Sequence, residues 1–172
     1  MAACGLPTRA CMTFLRRPEP ISAALLRGAL AGLGATVAMS AVMLGARRLG
    51  LTPTLPPERI AQEGAEAARA RANGGQIDAT ATVGHLGFGA AGGAAFAGMA
   101  RVLGAAAVTP LAMGWALVIW AGSYFGWIPA LRILPPPPQD HPGRVGTMLV
   151  AHLVYGAALA TLWRAGGMGR RA

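Results

Sequence analysis

Two stretches of the 172-residue chain place an imidazole inside an apolar run: His85-Leu86-Gly87-Phe88-Gly89-Ala90-Ala91 and His152-Leu153-Val154-Tyr155-Gly156-Ala157-Ala158. An ionisable group within a hydrophobic segment is a functional candidate, because holding it in hydrocarbon is costly. Three chemistries are open to this pair. Two neutral imidazoles on facing helices can ligate a haem iron axially, as in a bis-His redox protein. They can contribute to a transition-metal site, although two ligands fall short of the three or four that zinc takes. They can titrate near neutral pH and gate a pathway. The plainer role is an interhelical hydrogen bond, with Thr80, Thr82 or Tyr155 as partner. His85, His152 and Tyr155 are therefore the candidate intramembrane functional residues. No metal site and no cofactor is expected, haem being the one group the pair suggests.

Other chemistry is not supported. Gly87-Phe88-Gly89-Ala90-Ala91-Gly92 matches the dinucleotide fingerprint G-x-G-x-x-G, but it lies within an apolar run and no acid occurs between Asp78 and Asp140. The fingerprint needs a preceding strand and an acidic residue about 20 positions on. No nucleophile–base pairing, metalloprotease helix motif or paired carboxylates can be read, so no enzyme is expected. Cys4 and Cys11 have no metal spacing and are too few for a disulfide scaffold. Met12 is an alternative start that would remove both.

The elements that position the histidines follow from composition. Hydrophobic residues make up 54% of the chain and charged residues 12%, about half the share of a soluble domain. All 15 basic residues are Arg, and the net charge is +9. These arginines punctuate apolar segments instead of gathering on one soluble face, which excludes nucleic acid as a partner. Four segments are long enough for about 20 helical residues across the hydrocarbon: 21–46, 79–100, 104–125 and 145–163. The fold expected is all-α, an integral membrane four-helix bundle. Residues 1–20 form an N-terminal tail, expected to be disordered, and 164–172 a basic C-terminal tail. A polar helix, Glu58 to Ala72, is expected in the first loop. It would start at Pro57, stop at Asn73-Gly74, and carry Arg59/Glu63 and Glu66/Arg69 pairs at the membrane surface or over the bundle. The prolines 135–138 make the third loop stiff and extended. Pro110 can kink the third span. Trp120, Tyr124 and Trp127 mark an interface, as does Trp163, while Trp115 is a packing residue.

Small residues four apart allow close helix packing. Gly28/Gly32, Gly89/Gly93 and Gly156 with Ala160 fit that spacing and are the candidate packing residues. The two His-bearing stretches also form part of an internal repeat. Gly50-Leu51-Thr52-Pro53-Thr54-Leu55 and Gly126-Trp127-Ile128-Pro129-Ala130-Leu131 both read G-x-x-P-x-L, and each leads to a proline pair before the His-bearing span. This order points to two tandem helical hairpins in parallel orientation, related by an axis along the membrane normal. Each His then lies six or seven residues into its span, about 10 Å deep. Eight arginines flank the side of the termini and seven the opposite side, which slightly favours cytoplasmic termini.

Leu55-Pro56-Pro57, Gly84-His85-Leu86 and Ala151 to Gly156 resemble stretches of small bacterial inner-membrane proteins of the YagU-like group. The resemblance implies a multi-pass, four-helix protein of the bacterial inner membrane and carries no catalytic residues. Three functions are consistent with this reading. The first is a non-enzymatic scaffold, accessory or stress-related membrane component that acts on a membrane-protein partner or as a homo-oligomer. The second is a small oligomeric channel or carrier with His85 and His152 near its pathway. The third is a bis-His haem redox protein. The lipid bilayer is a partner in all three.

Overall fold

A computed structural model describes residues 19–103 and 107–167. Among these, every regular element is helical: α1 Ile21–Arg48, α2 Pro56–Ala67, α3 Gly74–Leu103, α4 Val108–Ala121 and α5 Pro142–Ala165. A π-helical segment, Gly122–Trp127, and a short turn, Ile128–Ala130, continue α4. Four helices, α1, α3, α5 and the composite Val108–Ala130, are long and apolar enough to cross a membrane. At most 39% of each apolar stretch is buried inside the protein. Large apolar side chains such as Leu26, Val37, Val83 and Val118 face outward, as lipid-facing positions do when hydrocarbon replaces water. This is a multi-pass membrane protein.

Helix ends depart from the hydropathy boundaries because polar caps extend helices past their apolar stretch. Asn73 and Gln76 bond reciprocally, each backbone N–H to the other's side chain at 2.9 Å. This capping box starts α3 at Gly74, five residues before the expected span. Asn73 is thus the start signal of α3 and not the stop signal of the loop helix. Pro142 opens α5 behind His141, whose Nδ1 accepts from Gly143 N–H at 3.2 Å. The first-loop helix α2 begins at Pro56 and ends at Ala67, short of the expected Ala72. Arg69 turns left-handed at φ +52°. The N–H groups of Arg69 and Ala70 reach back to Glu66 and Ala65 carbonyls at 2.9 Å, a Schellman cap. Arg59 and Glu63 pair at 2.8 Å. Glu66 and Arg69 do not pair among the described residues, because Arg69 has left the helix.

Pro110 does not kink the third span. It lies in the first turn of α4, where its missing N–H has no helical partner to lose. The break comes at Gly126, with φ −103° and ψ −106°, inside the π-helical segment. The expected start of this span, Gly104, lies outside the described residues, as do most of the N-terminal tail with Cys4, Cys11 and Met12 and residues 168–172 of the C-terminal tail.

The central helix is α1, which packs along both α3 and α5, while α4 packs along α5 and only touches α3. The core joining them is made of small and flexible side chains, including Ala35, Met39, Phe96, Ala116 and Leu159. Phe96 and Trp163 meet edge to face at 5.7 Å between ring centroids. The α2 helix lies against α3, and its Ile60 packs on Ile128, Ile133 and Leu134 of the third-loop region.

Candidate functional site

The packing glycines come together at one seam. A Cβ on Gly28 or Gly32 of α1 would strike the carbonyl oxygen of Gly93 or Gly89 of α3, and a Cβ on Gly93 would strike Gly28 O. Thr36 closes the seam, filling the space above Gly89 while its hydroxyl donates to Gly32 O at 2.8 Å. Gly156 of α5 rests on α4, where a Cβ would lie 3.0 Å from Ala112 O and 3.0 Å from the Ala116 methyl. Without side chains, α3 can offer its carbonyls to other helices. Tyr155 Oη–H donates to Gly89 O at 3.0 Å and Trp115 Nε1–H to Gly92 O at 2.9 Å. The G-x-G-x-x-G match is thus a docking strip within α3.

Because α3 and α4 hardly touch, a cavity of about 560 Å³ opens between them, walled by α1 and α5 and covered by α2. It lies on the side of the first and third loops. Its lining is mostly apolar: Met39, Met43 and Met148, Ile77, Phe88 and Ile119, and Pro56, Ile60 and Ala61 of α2. The polar groups are His85, His152, Trp120, Trp127, Tyr124, Tyr155, Ser123 and two threonines, and no Asp, Glu, Lys or Arg lines it. The size and character suit a small apolar ligand held by a few polar groups.

Both candidate histidines line this cavity. They lie deeper along their helices than hydropathy indicates, eleven residues from the start of α3 and ten from the start of α5, about 15 Å along each helix. His152 Nδ1–H donates to Met148 O at 2.8 Å, which leaves Nε2 as an acceptor. His85 Nε2 is buried with no hydrogen-bond partner, and so is Trp120 Nε1. The hydrogen bonds expected from Thr82 and Tyr155 to a histidine are not made, since those hydroxyls donate to Asp78 O and Gly89 O. Trp120 stands edge to face with Tyr124 at 6.4 Å and Phe125 at 5.6 Å. Among the described residues, no three His, Cys, Asp or Glu side chains gather as a metal site requires.

A polar latch at the cavity mouth is not evident from the sequence. Asp140 pairs with Arg144 and accepts from the hydroxyl of Tyr124, and Arg144 Nε–H donates to Thr54 O at 3.3 Å. The latch joins the first loop, the end of the third span, the third loop and α5. The i, i+4 spacing of Asp140 and Arg144 was the available signal. It was hidden because Asp140 precedes the apolar run and reads as an ordinary loop charge.

Residues 22–166 match a family described as a family of unknown function, DUF6789. The chain belongs to that family, and no comparison supports the YagU-like resemblance. Neither the curated proteins nor the solved structures returned a match.

Proposed function

We propose that this protein binds an apolar small molecule inside the membrane, as a small carrier. The observation that carries this reading is the mostly apolar cavity between α3 and α4, with His85, His152 and Trp120 among its lining residues. Gly28, Gly32, Gly89, Gly93 and Gly156 are the small-residue faces on which a scaffold or homo-oligomer could pack a partner. The α1–α3 seam already uses four of those glycines within one chain, which moves the weight to the cavity. Duplicated hairpins remain part of the proposal, supported by the H-L-x-aromatic-G-A-A repeat. In that scheme the α1–α5 contact is tight and its counterpart, α3–α4, is the open side that admits the ligand. The setting proposed is the bacterial inner membrane with cytoplasmic termini, so the cavity opens on the far face. No catalysis is proposed.

The test uses a photoactivatable alkyl diazirine on the protein in lipid nanodiscs. Labelling is expected on the α3 and α4 segments that line the cavity. Gly84 lines the cavity with open space at its Cβ position, so Gly84→Phe fills the cavity without a backbone clash and should abolish that labelling. Label spread evenly over lipid-facing positions, unchanged by Gly84→Phe, would sink the proposal.

One observation favours a second reading, since His85 and His152 line the same cavity. A Soret band in protein purified from haem-sufficient cells, lost on His85→Ala, would establish a haem pair. A featureless spectrum of folded protein would dismiss it.

A further inference from the structure

Charge is shared unequally between the two membrane faces. The side of the termini carries eight arginines and one acid, Glu19, whereas the side of the first and third loops carries seven arginines and five acids. The net charges are +7 and +2. On the loop side arginines meet carboxylates: Arg47 with Glu58, Arg59 with Glu63 and Arg144 with Asp140. The face at the termini has Glu19 alone to answer its arginines, and a basic face of this kind attracts anionic headgroups.

One arginine of that face opens onto a cleft. Between α1 and α5 lies a space of about 250 Å³ lined by Arg27, Leu30, Ala31, Leu162, Trp163 and Gly166. Arg27 stands six residues into α1, about 9 Å along the helix, and its side chain reaches back to the end of α5, as arginines near a membrane surface do. That side chain is 29% exposed. Nη1–H donates to Glu19 Oε1 at 2.9 Å. The other edge of the guanidinium turns to α5, where a Cβ on Gly166 would lie 2.9 Å from Nη2 and 3.5 Å from Nε. Glu19 and the cleft thus take different edges of one guanidinium. The Nε/Nη2 edge is a fork that matches two phosphate oxygens with parallel hydrogen bonds. Gly166 has φ −65°, which any residue can adopt, so its use here is the room it leaves in front of that fork. Below the guanidinium the banks are apolar. Leu30 and Leu162 are exposed toward the bilayer, and Leu162 lies over Gly34 of α1, where a Cβ would be 2.7 Å from its Cδ1.

We propose that this cleft binds an anionic phospholipid of the leaflet at the termini, with the phosphate on the Nε/Nη2 edge of Arg27 and the upper part of one acyl chain along Leu30 and Leu162. The Arg27–Glu19 pair is neutral by itself, so the preference for a net-anionic over a zwitterionic headgroup comes from the other arginines of the face. The site is separate from the cavity between α3 and α4 and does not depend on its role.

The experiment is native mass spectrometry of full-length, delipidated protein in neutral detergent, titrated with dioleoyl phosphatidylglycerol, dioleoyl phosphatidylcholine or dioleoylglycerol. Phosphatidylglycerol should be retained at about one-tenth the concentration that dioleoylglycerol requires, the ratio that one charge-assisted contact produces, with phosphatidylcholine between them. Arg27→Gln should bring phosphatidylglycerol to the level of dioleoylglycerol. Gly166→Leu keeps every charge, fills the cleft against the movable end of one side chain, and should do the same. Arg101→Gln removes an exposed arginine of the same face outside the cleft and should leave retention close to that of the unaltered protein. Millimolar inorganic phosphate should not displace the lipid. Phosphatidylglycerol held no better than phosphatidylcholine or dioleoylglycerol, equal losses in Arg27→Gln and Arg101→Gln, or full retention in Gly166→Leu would overturn the proposal. Displacement by inorganic phosphate would overturn it in favour of a free anion.

Discussion

Gly93 and Gly114 have the same side chain and opposite surroundings. Gly93 lies against the backbone of α1, whereas the Cβ position of Gly114 is open. Gly93→Ala should therefore cost about 2 kcal/mol, the range of overpacking against atoms that cannot turn away. Gly114→Ala should be neutral or slightly stabilising through helix propensity. Thermal unfolding in mild detergent compares the two, and equal losses would refute the seam. The latch makes a second residue-scale prediction. The Arg144 and Asp140 side chains are 10% and 3% exposed, so Asp140→Asn strands a largely buried guanidinium and should cost about 3 kcal/mol. Replacing both, as Asp140→Leu with Arg144→Leu, should cost clearly less, because no charge is left unpaired. A double-mutant cycle on melting midpoints decides this, and additive losses would count against the pairing. The residues themselves were unequally legible. His85, His152 and the packing glycines stand out because their types are conspicuous in apolar runs. Trp120 read as an interface aromatic, since nothing in sequence shows that an indole N–H lacks an acceptor.

Helix ends show why elements are partly legible. Hydropathy located all four long helices but measured the apolar stretch, and caps such as Asn73/Gln76 carry α3 beyond it. The α2 helix was anticipated from Pro57 and its charged pattern, yet its end depends on Arg69 accepting a left-handed conformation that no residue preference announces. Arg132, at φ +60°, ends the third span in the same way, with Arg132 and Ile133 N–H bonded to Pro129 and Ile128 carbonyls. Glycine is the natural occupant of such a cap. Arg69→Gly and Arg132→Gly should each stabilise the protein by about 0.5–1 kcal/mol, read as a raised unfolding midpoint. Destabilisation by either would mean that its side chain makes a contact worth more than the backbone strain. The π-helical segment was not foreseen, because it depends on how α4 leans on α5. It brings Ser123, Tyr124 and Trp127 to the cavity, a setting in which π-turns often accompany functional sites.

Across the whole molecule the contacts do not follow chain order. The first long helix is seated by the second and the last, and the third finds its main partner only in the last. This pattern has a consequence for biogenesis. A nascent chain that ends after Ala130 holds one settled pair, α1 with α3, and one helix without a neighbour to dock on. Until α5 leaves the ribosome, α4 is expected to remain against the insertion machinery or a chaperone, since lipid alone gives it no fixed place. Ribosome-stalled chains in which a linker long enough to fill the exit tunnel follows residue 135 should therefore crosslink to the insertase through a probe at Gly114. Chains long enough to release Pro142–Ala165 should lose that crosslink, and early loss in the shorter chains would show that the third span settles unaided.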